Sequence, residues 1–140
     1  MKLTAQYTSF YNGLGSRDAA YDMMDKDGNL LKNKVDTGMN LYKHTAAEGM
    51  YFGAVYEGSS NSGATLVFDG TQVAVRSYCG SEYGSYEIYI DDELVYTADI
   101  SDGDGVEIVY LSSLLEDGEH TLTLKGKSGK FNIDSFVLFN

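Results

Sequence analysis

From Gly63 to Asn140 the chain alternates apolar and polar residues in short runs, each closed by a turn rich in glycine or aspartate. Gly63–Val75 opens the series and Phe131–Leu138 closes it. Successive side chains of an extended strand point to opposite faces, so period-two alternation buries one face and wets the other. Several such runs at close spacing predict an all-β chain folded as an antiparallel sandwich or barrel. Proline is absent, so the turns fall to the 16 glycines and to Asn and Asp, all of which tolerate positive φ.

The expected strands are Lys2–Phe10, Met50–Tyr56, Ala64–Phe68, Gln72–Tyr78, Tyr86–Ile90, Leu94–Ile100, Val106–Leu111, His120–Leu124 and Phe131–Phe139, with a further extended piece around Met39–His44. Turns are expected at Tyr11–Gly15, Asp25–Asn29, Asp69-Gly70, Asp91-Asp92, Ser101–Gly105 and Asp117-Gly118. Arg17–Met24 has helical composition but is short for a helix, and Ser112–Leu115 reads as a single helical turn. Glu57–Gly63 reads as a loop joining two strands. No unit repeats, which argues against a solenoid or propeller.

At 140 residues the chain reads as one domain, residues 1–140, large enough to bury a core without staples. Its single cysteine, Cys79, excludes an intrachain disulfide, and no His or acidic partner stands at a spacing that suggests a catalytic thiol. A formal net charge of −11, from 21 acids against 10 bases, repels phosphate backbones and anionic membranes, so neither nucleic acid nor membrane is an expected partner. No apolar run reaches the ~20 residues that span a bilayer. Met1–Tyr7 turns polar too early to read as a signal peptide, as would any domain taken from the interior of a secreted protein.

The order of the pieces resembles that of galactose-binding-domain-like β-sandwiches. Gly63–Val75 is similar to their "small-residue, apolar strand, Phe-x-Gly-Thr-x-Val" pair, and Tyr83–Asp92 to their "Gly-x-Tyr-x-Val-x-Ile-Asp-Gly" strand and turn, with Asp92 where glycine is more usual. Leu115–Leu124 looks like their "Leu-x-x-Gly-x-His-Thr" element, and Ile133-Asp134-Ser135-Phe136 matches the closing "Ile-Asp-x-Phe". Residues 1–60 match none of this pattern. The resemblance implies a jelly-roll-like sandwich that serves as an accessory module of a larger extracellular or cell-surface protein, often a carbohydrate-binding module. Some members hold a structural calcium, but their N-terminal acidic motif is not visible here, and no cofactor is expected.

No metal ligand set stands out. Asp22, Asp25, Asp27 and Gly28 suggest a calcium loop, yet an EF-hand needs Gly at its sixth position and Glu at its twelfth; counted from Asp25, Gly28 falls fourth and Asp36 twelfth. Asp99, Asp102, Asp104 and Glu107 form a second acidic group without a recognisable pattern. No Gly-x-Ser-x-Gly elbow is present, and the chain reads as non-catalytic. His120, at the start of a strand after a turn, is expected to bond loop backbone. Asp134 interrupts an apolar strand and is expected to be hydrogen-bonded or ion-bound if buried.

Binding is the remaining chemistry. A sugar is held by an aromatic face under its apolar side, with polar groups fixing the hydroxyls. Twelve tyrosines and no tryptophan supply the aromatic surface. Arg76, Tyr78 and Tyr83 around one loop are the first candidates, followed by Tyr42, His44, Tyr51 and Tyr56. Arg76 is out of phase with Val73 and Val75 and is expected to face away from their core layer. The expected function is a carbohydrate-binding module; the alternative is a structural or protein-interaction sandwich without sugar affinity.

Overall fold

A computed structural model describes the backbone of residues 5–10, 20–24, 30–37 and 40–42, and residues 55–60 and 62–139 with their side chains, Tyr56 by backbone alone. Every regular element described is a strand: β1 (Ala5–Phe10), β2 (Ala20–Met24), β3 (Leu30–Thr37), β4 (Asn40–Tyr42), β5 (Val55–Gly58), β6 (Gly63–Asp69), β7 (Gln72–Cys79), β8 (Ser85–Ile90), β9 (Glu93–Asp99), β10 (Gly105–Leu111), β11 (Glu119–Ser128), β12 (Phe131–Ile133) and β13 (Ser135–Phe139).

Ten of them form one antiparallel strip in the order β10-β7-β13-β1-β2-β3-β6-β11-β8-β9, and β12-β5-β4 form a small second sheet. The long strip folds over on itself. Val73 and Val75 of β7 and Phe136 and Leu138 of β13 share one buried cluster with Leu66 and Phe68 of β6, Ile88 of β8, and Leu122 and Leu124 of β11. These residues come from both ends of the strip, so its two halves face each other as the layers of a sandwich. The edge strands β9 and β10 consequently approach each other, and the rings of Tyr96 and Tyr110 stack across them at 5.4 Å between centroids.

Both edge strands are bulged. Ile88 and Tyr89 of β8 face Tyr96 and Leu94, which leaves Val95 as an extra residue in β9. Arg76 and Val75 of β7 face Ile108 and Tyr110, which leaves Val109 extra in β10. Bulges of this kind occur at sheet edges and re-aim the side chains beside them.

Several expectations are corrected. Ala20–Met24, read as part of a helical stretch, is strand β2, paired on both sides by β1 and β3; five residues nucleate a helix poorly, and sheet pairing overrides composition. Leu30–Thr37 is a full strand where none was expected. Of the strand expected over Met50–Tyr56, residues 50–54 lie outside the described residues; Val55 and Tyr56 open strand β5, which runs on to Gly58, so Glu57 and Gly58 belong to a strand and not to a loop. Ser112–Leu115 is no helical turn: Ser112 N–H donates to the Val73 carbonyl and Leu115 N–H to the Thr71 carbonyl, which keeps this segment extended beside β7. The strand expected over Phe131–Phe139 breaks at Asp134, where the chain passes from the small sheet to the large one. The turns expected at Tyr11–Gly15 and Asp25–Asn29 lie outside the described residues.

Elsewhere the motifs close up as their residues suggest. Gly70 N–H donates to the Gly118 carbonyl at 3.1 Å, so the turns of two separate motifs are bonded to each other. Gly118 has φ of 141°, a conformation that L side chains rarely adopt.

Candidate functional site

Among the first three candidates, Arg76 and Tyr78 lie on β7 and Tyr83 in the loop that follows. Arg76 is half-buried between buried neighbours Val75 and Ser77, on the opposite face from Val73 and Val75. Its guanidinium Nη1 is 3.5 Å from Oδ2 of Asp134 and 3.4 Å from Oγ of Ser135, to which it donates. Ser135 Oγ–H in turn donates to Asp134 Oδ2 at 2.8 Å, and Asp134 N–H donates to the Arg76 carbonyl. The Asp134 carboxylate has no exposed surface, so Arg76 supplies the charge that a buried carboxylate requires.

Tyr78 is held by its backbone. Its N–H donates to Oδ1 of Asn132 at 2.7 Å, and its carbonyl accepts from Nδ2 of Asn132 at 2.8 Å. The buried Asn132 amide thus stands in for a neighbouring peptide and ties β12 to β7. The Asn132 carbonyl accepts from Ser77 Oγ at 2.7 Å. The single Ser77 hydroxyl proton is thereby used, and Tyr86 Oη must donate in the 2.8 Å contact between the two hydroxyls. Full burial pushes the Tyr86 phenol pKa upward.

The Tyr78 ring meets Tyr83 edge to face, with centroids 6.3 Å apart. Tyr83 is buried, and its hydroxyl donates to Oε2 of Glu57 at 3.0 Å. Lys130 Nζ lies 5.4 Å from the centre of the Tyr83 ring and 3.6 Å from Oε1 of Glu57. Both Glu57, on β5, and Lys130 remain accessible at the rim. The loop reaches this position because Gly84 has no side chain: a Cβ there would run into the Ser128 carbonyl. Gly84 N–H also donates to the Lys130 carbonyl at 2.7 Å. The result is two contacting tyrosines with an acid and a base at their edge, a grouping that offers both ring surface and hydroxyl-binding groups.

The other candidates are placed only in part. Tyr42 lies on β4 opposite Val55, and Tyr56 on β5 between Leu41 and Ile133; their side chains are outside the described residues, as are His44 and Tyr51 altogether. Glu57, Lys130 and Asn132 were not singled out from the sequence. Their signal is non-local: each joins the group through strand pairing or a close backbone approach.

Cys79 and His120 are both engaged by neighbouring groups. Cys79 is buried, and its thiol pKa is pushed up to about 12, first by burial and then by the adjacent Glu107 carboxylate; such a thiol is no nucleophile at neutral pH. His120 Nε2 donates to the Glu116 carbonyl at 2.6 Å, the loop-backbone bond expected of it, and Nδ1 lies 2.7 Å from Asp91 Oδ2. Among the described residues, no group of three or more His, Cys, Asp or Glu is arranged to hold a metal ion, and no helix is long and apolar enough to cross a membrane.

No protein-family model matches the chain. It is 31% identical over 85 residues to the "A type blood alpha-D-galactosamine galactosaminidase" of Flavonifractor plautii, a match over 60% of this chain and 8% of that protein. The chain therefore spans a small fraction of this curated relative. Among solved structures, a cycloisomaltooligosaccharide glucanotransferase of Paenibacillus sp. superposes with a TM-score of 0.58 at 14% identity, over 94% of this chain and 19% of the other. An exo-β-1,3-galactanase of Phanerochaete chrysosporium gives 0.54 at 15% identity, over 89% and 29%. A family 35 carbohydrate-binding module from an environmental isolate gives 0.50 at 16% identity, over 74% and 87%. The chain shares with these structures an all-β, antiparallel sandwich fold.

Proposed function

We propose that this chain is a non-catalytic carbohydrate-binding module that belongs to a larger extracellular or cell-surface protein. The observation that carries this reading is the contact between Tyr78 and Tyr83 with Glu57 and Lys130 at its rim. A sugar laid against the Tyr78 ring would find a carboxylate to accept its hydroxyl protons and an ammonium to donate to its oxygens. The fold shared with a family 35 module supports the reading, as does the small share of the galactosaminidase that the chain spans. Arg76, engaged by Asp134, serves to hold the β7–β13 junction beneath the site.

A different observation favours a protein-interaction role: Leu94, Ile108, Leu111 and Leu114 are each about half exposed or more, along the β9 and β10 side of the sandwich. Such a patch fits a protein partner.

The discriminating experiment is a glycan-array and polysaccharide screen, with calcium and with EDTA, comparing wild type, Tyr78→Ala and Lys130→Met. Binding that falls in both variants supports the module and its site. Binding to no glycan in either condition overturns the module reading and favours the protein-interaction role.

A further inference from the structure

Between the edge strands β9 and β10 the sandwich opens into a cavity of about 240 Å³, bordered by Tyr96, Asp99, Asp102, Glu107, Ile108 and the buried Cys79 among others. It is distinct from the Tyr78 site. Tyr78 and Cys79 are successive residues of β7, so their side chains leave opposite faces of the strand.

Three features make it a built recess. It has a floor: Cys79 and Ala98 are buried members of the core cluster. It has an aromatic wall: Tyr96 is stacked on Tyr110 yet remains 46% exposed. Both strands are bulged beside that wall, at Val95 and Val109, in the manner of strands that re-aim side chains around a site. The volume admits one sugar ring and little more, being below the ~300 Å³ of the smallest drug-sized pockets.

The charge of the lining selects among sugars. It contains three carboxylates and no basic group. Asp99 is fixed in place by Ser101, whose N–H and Oγ–H both donate to its Oδ1, at 2.9 Å and 2.6 Å. Glu107 stands against the Cys79 thiol. A uronic acid or sulfated sugar would meet only like charge among the charged groups of this lining, whereas a cation would meet only opposite charge. A protonated amine is also attracted to the face of a tyrosine. We infer that this cavity is a second sugar subsite, specific for a hexosamine with a free, protonated amine. The ring's C–H face lies on Tyr96 and the ammonium is directed to Asp102 and Glu107. The inference rests on the carbohydrate-binding reading but not on the Tyr78 site.

The test is an NMR titration of the full ¹⁵N-labelled chain in EDTA, so that no bridging cation takes part, with D-galactosamine, N-acetyl-D-galactosamine and D-galacturonate in turn. Galactosamine is expected to shift the amides of residues 94–110 and Cys79, with the neutral and acidic sugars weaker by about tenfold or more. Tyr96→Ala and the double variant Asp102→Asn, Glu107→Gln are expected to abolish those shifts while keeping the remaining spectrum, since Tyr96 and both acids are exposed. Equal binding of the N-acetylated sugar, or binding unaffected by these variants, overturns the inference. Shifts at Tyr78 and Tyr83 with none around Tyr96 overturn it too, and leave the module reading standing. A response to none of the three sugars also overturns it, while the module reading is decided by the glycan screen.

Discussion

His120 Nδ1 lies 2.7 Å from Asp91 Oδ2 while its Nε2 lies 2.6 Å from the Glu116 carbonyl, so both ring nitrogens face acceptors. An imidazole satisfies two acceptors only when it carries both protons. The Asp91 carboxylate, then the Glu116 carbonyl, accordingly raise the His120 pKa, and His120, with the Thr121 N–H, lowers that of Asp91. The contribution of His120 is complete below its unfolded value of ~6.5 and is lost as pH rises through the higher folded value. That of Asp91 is complete above its unfolded value of ~3.9 and is lost as pH falls through the lower folded one. The pair is therefore at full strength between about pH 4 and pH 6.5. Because Asp91 is half exposed, its worth is held to about 1 kcal/mol. Thermal melts from pH 5 to 9 should show wild type losing stability relative to His120→Gln. A parallel pH dependence of the two proteins would refute this account of the pair.

Arg76→Met removes a cation from beside the buried Asp134 carboxylate. Given the 3.5 Å separation and an Arg side chain that is 18% exposed, the loss should be about 2–3 kcal/mol, read from urea unfolding. Adding Asp134→Asn should restore part of it, because the buried negative charge is then gone. Additive losses from the two substitutions would contradict the pairing.

Asp91 and Asp92 both have positive φ, 50° and 68°, the signature of a two-residue type I′ hairpin turn between β8 and β9. Asp91 earns its place through His120 and Thr121, whereas Asp92 is exposed. Asp92→Gly should raise stability by about 0.5–1 kcal/mol, seen as a higher melting temperature. A decrease would mean that the Asp92 side chain holds a bond worth more than the backbone relief.

Gly84→Ala should have the opposite sign. The new methyl would collide with the Ser128 carbonyl, which is backbone and cannot simply rotate away, so a loss of about 1–3 kcal/mol is expected. The same displacement would move Tyr83 off Glu57 and Lys130, and glycan binding at the Tyr78 site should fall with stability. Unchanged stability and binding would show that the loop has room the structure does not provide.

The sandwich was legible wherever one face of a strand is wet. Leu122 and Leu124 alternate with Thr121, Thr123 and Lys125, and their burial follows that alternation; Leu66 and Phe68 keep the same period on either side of an exposed Val67. Asp134 was legible for the same reason, as a charge placed where only a partner could keep it. Ala20–Met24 was not, because its strand state depends on pairing with β1 and β3, which a short composition window does not encode. The binding candidates divide along the same line. Tyr78 and Tyr83 are close in sequence, one near the end of a strand and the other in the loop that follows, so their contact could be anticipated. Glu57 and Lys130 meet them only through the small sheet and the Gly84 approach, and nothing local in either residue announces it.

In the long strip, β13 lies between β7 and β1, so the last strand described is flanked by the first. The two form a pairing whose ends, such as Ala5 and Phe139, are separated by nearly the whole chain. Closing so long a loop is entropically expensive before any contact rewards it. During synthesis β1 must therefore wait beside no partner on that side until β13 has left the ribosome, and the sandwich can be sealed only after its last strand is made. Refolding should accordingly be slow and dominated by a late step, during which the apolar inner face of β7 stays open to solvent and to other chains.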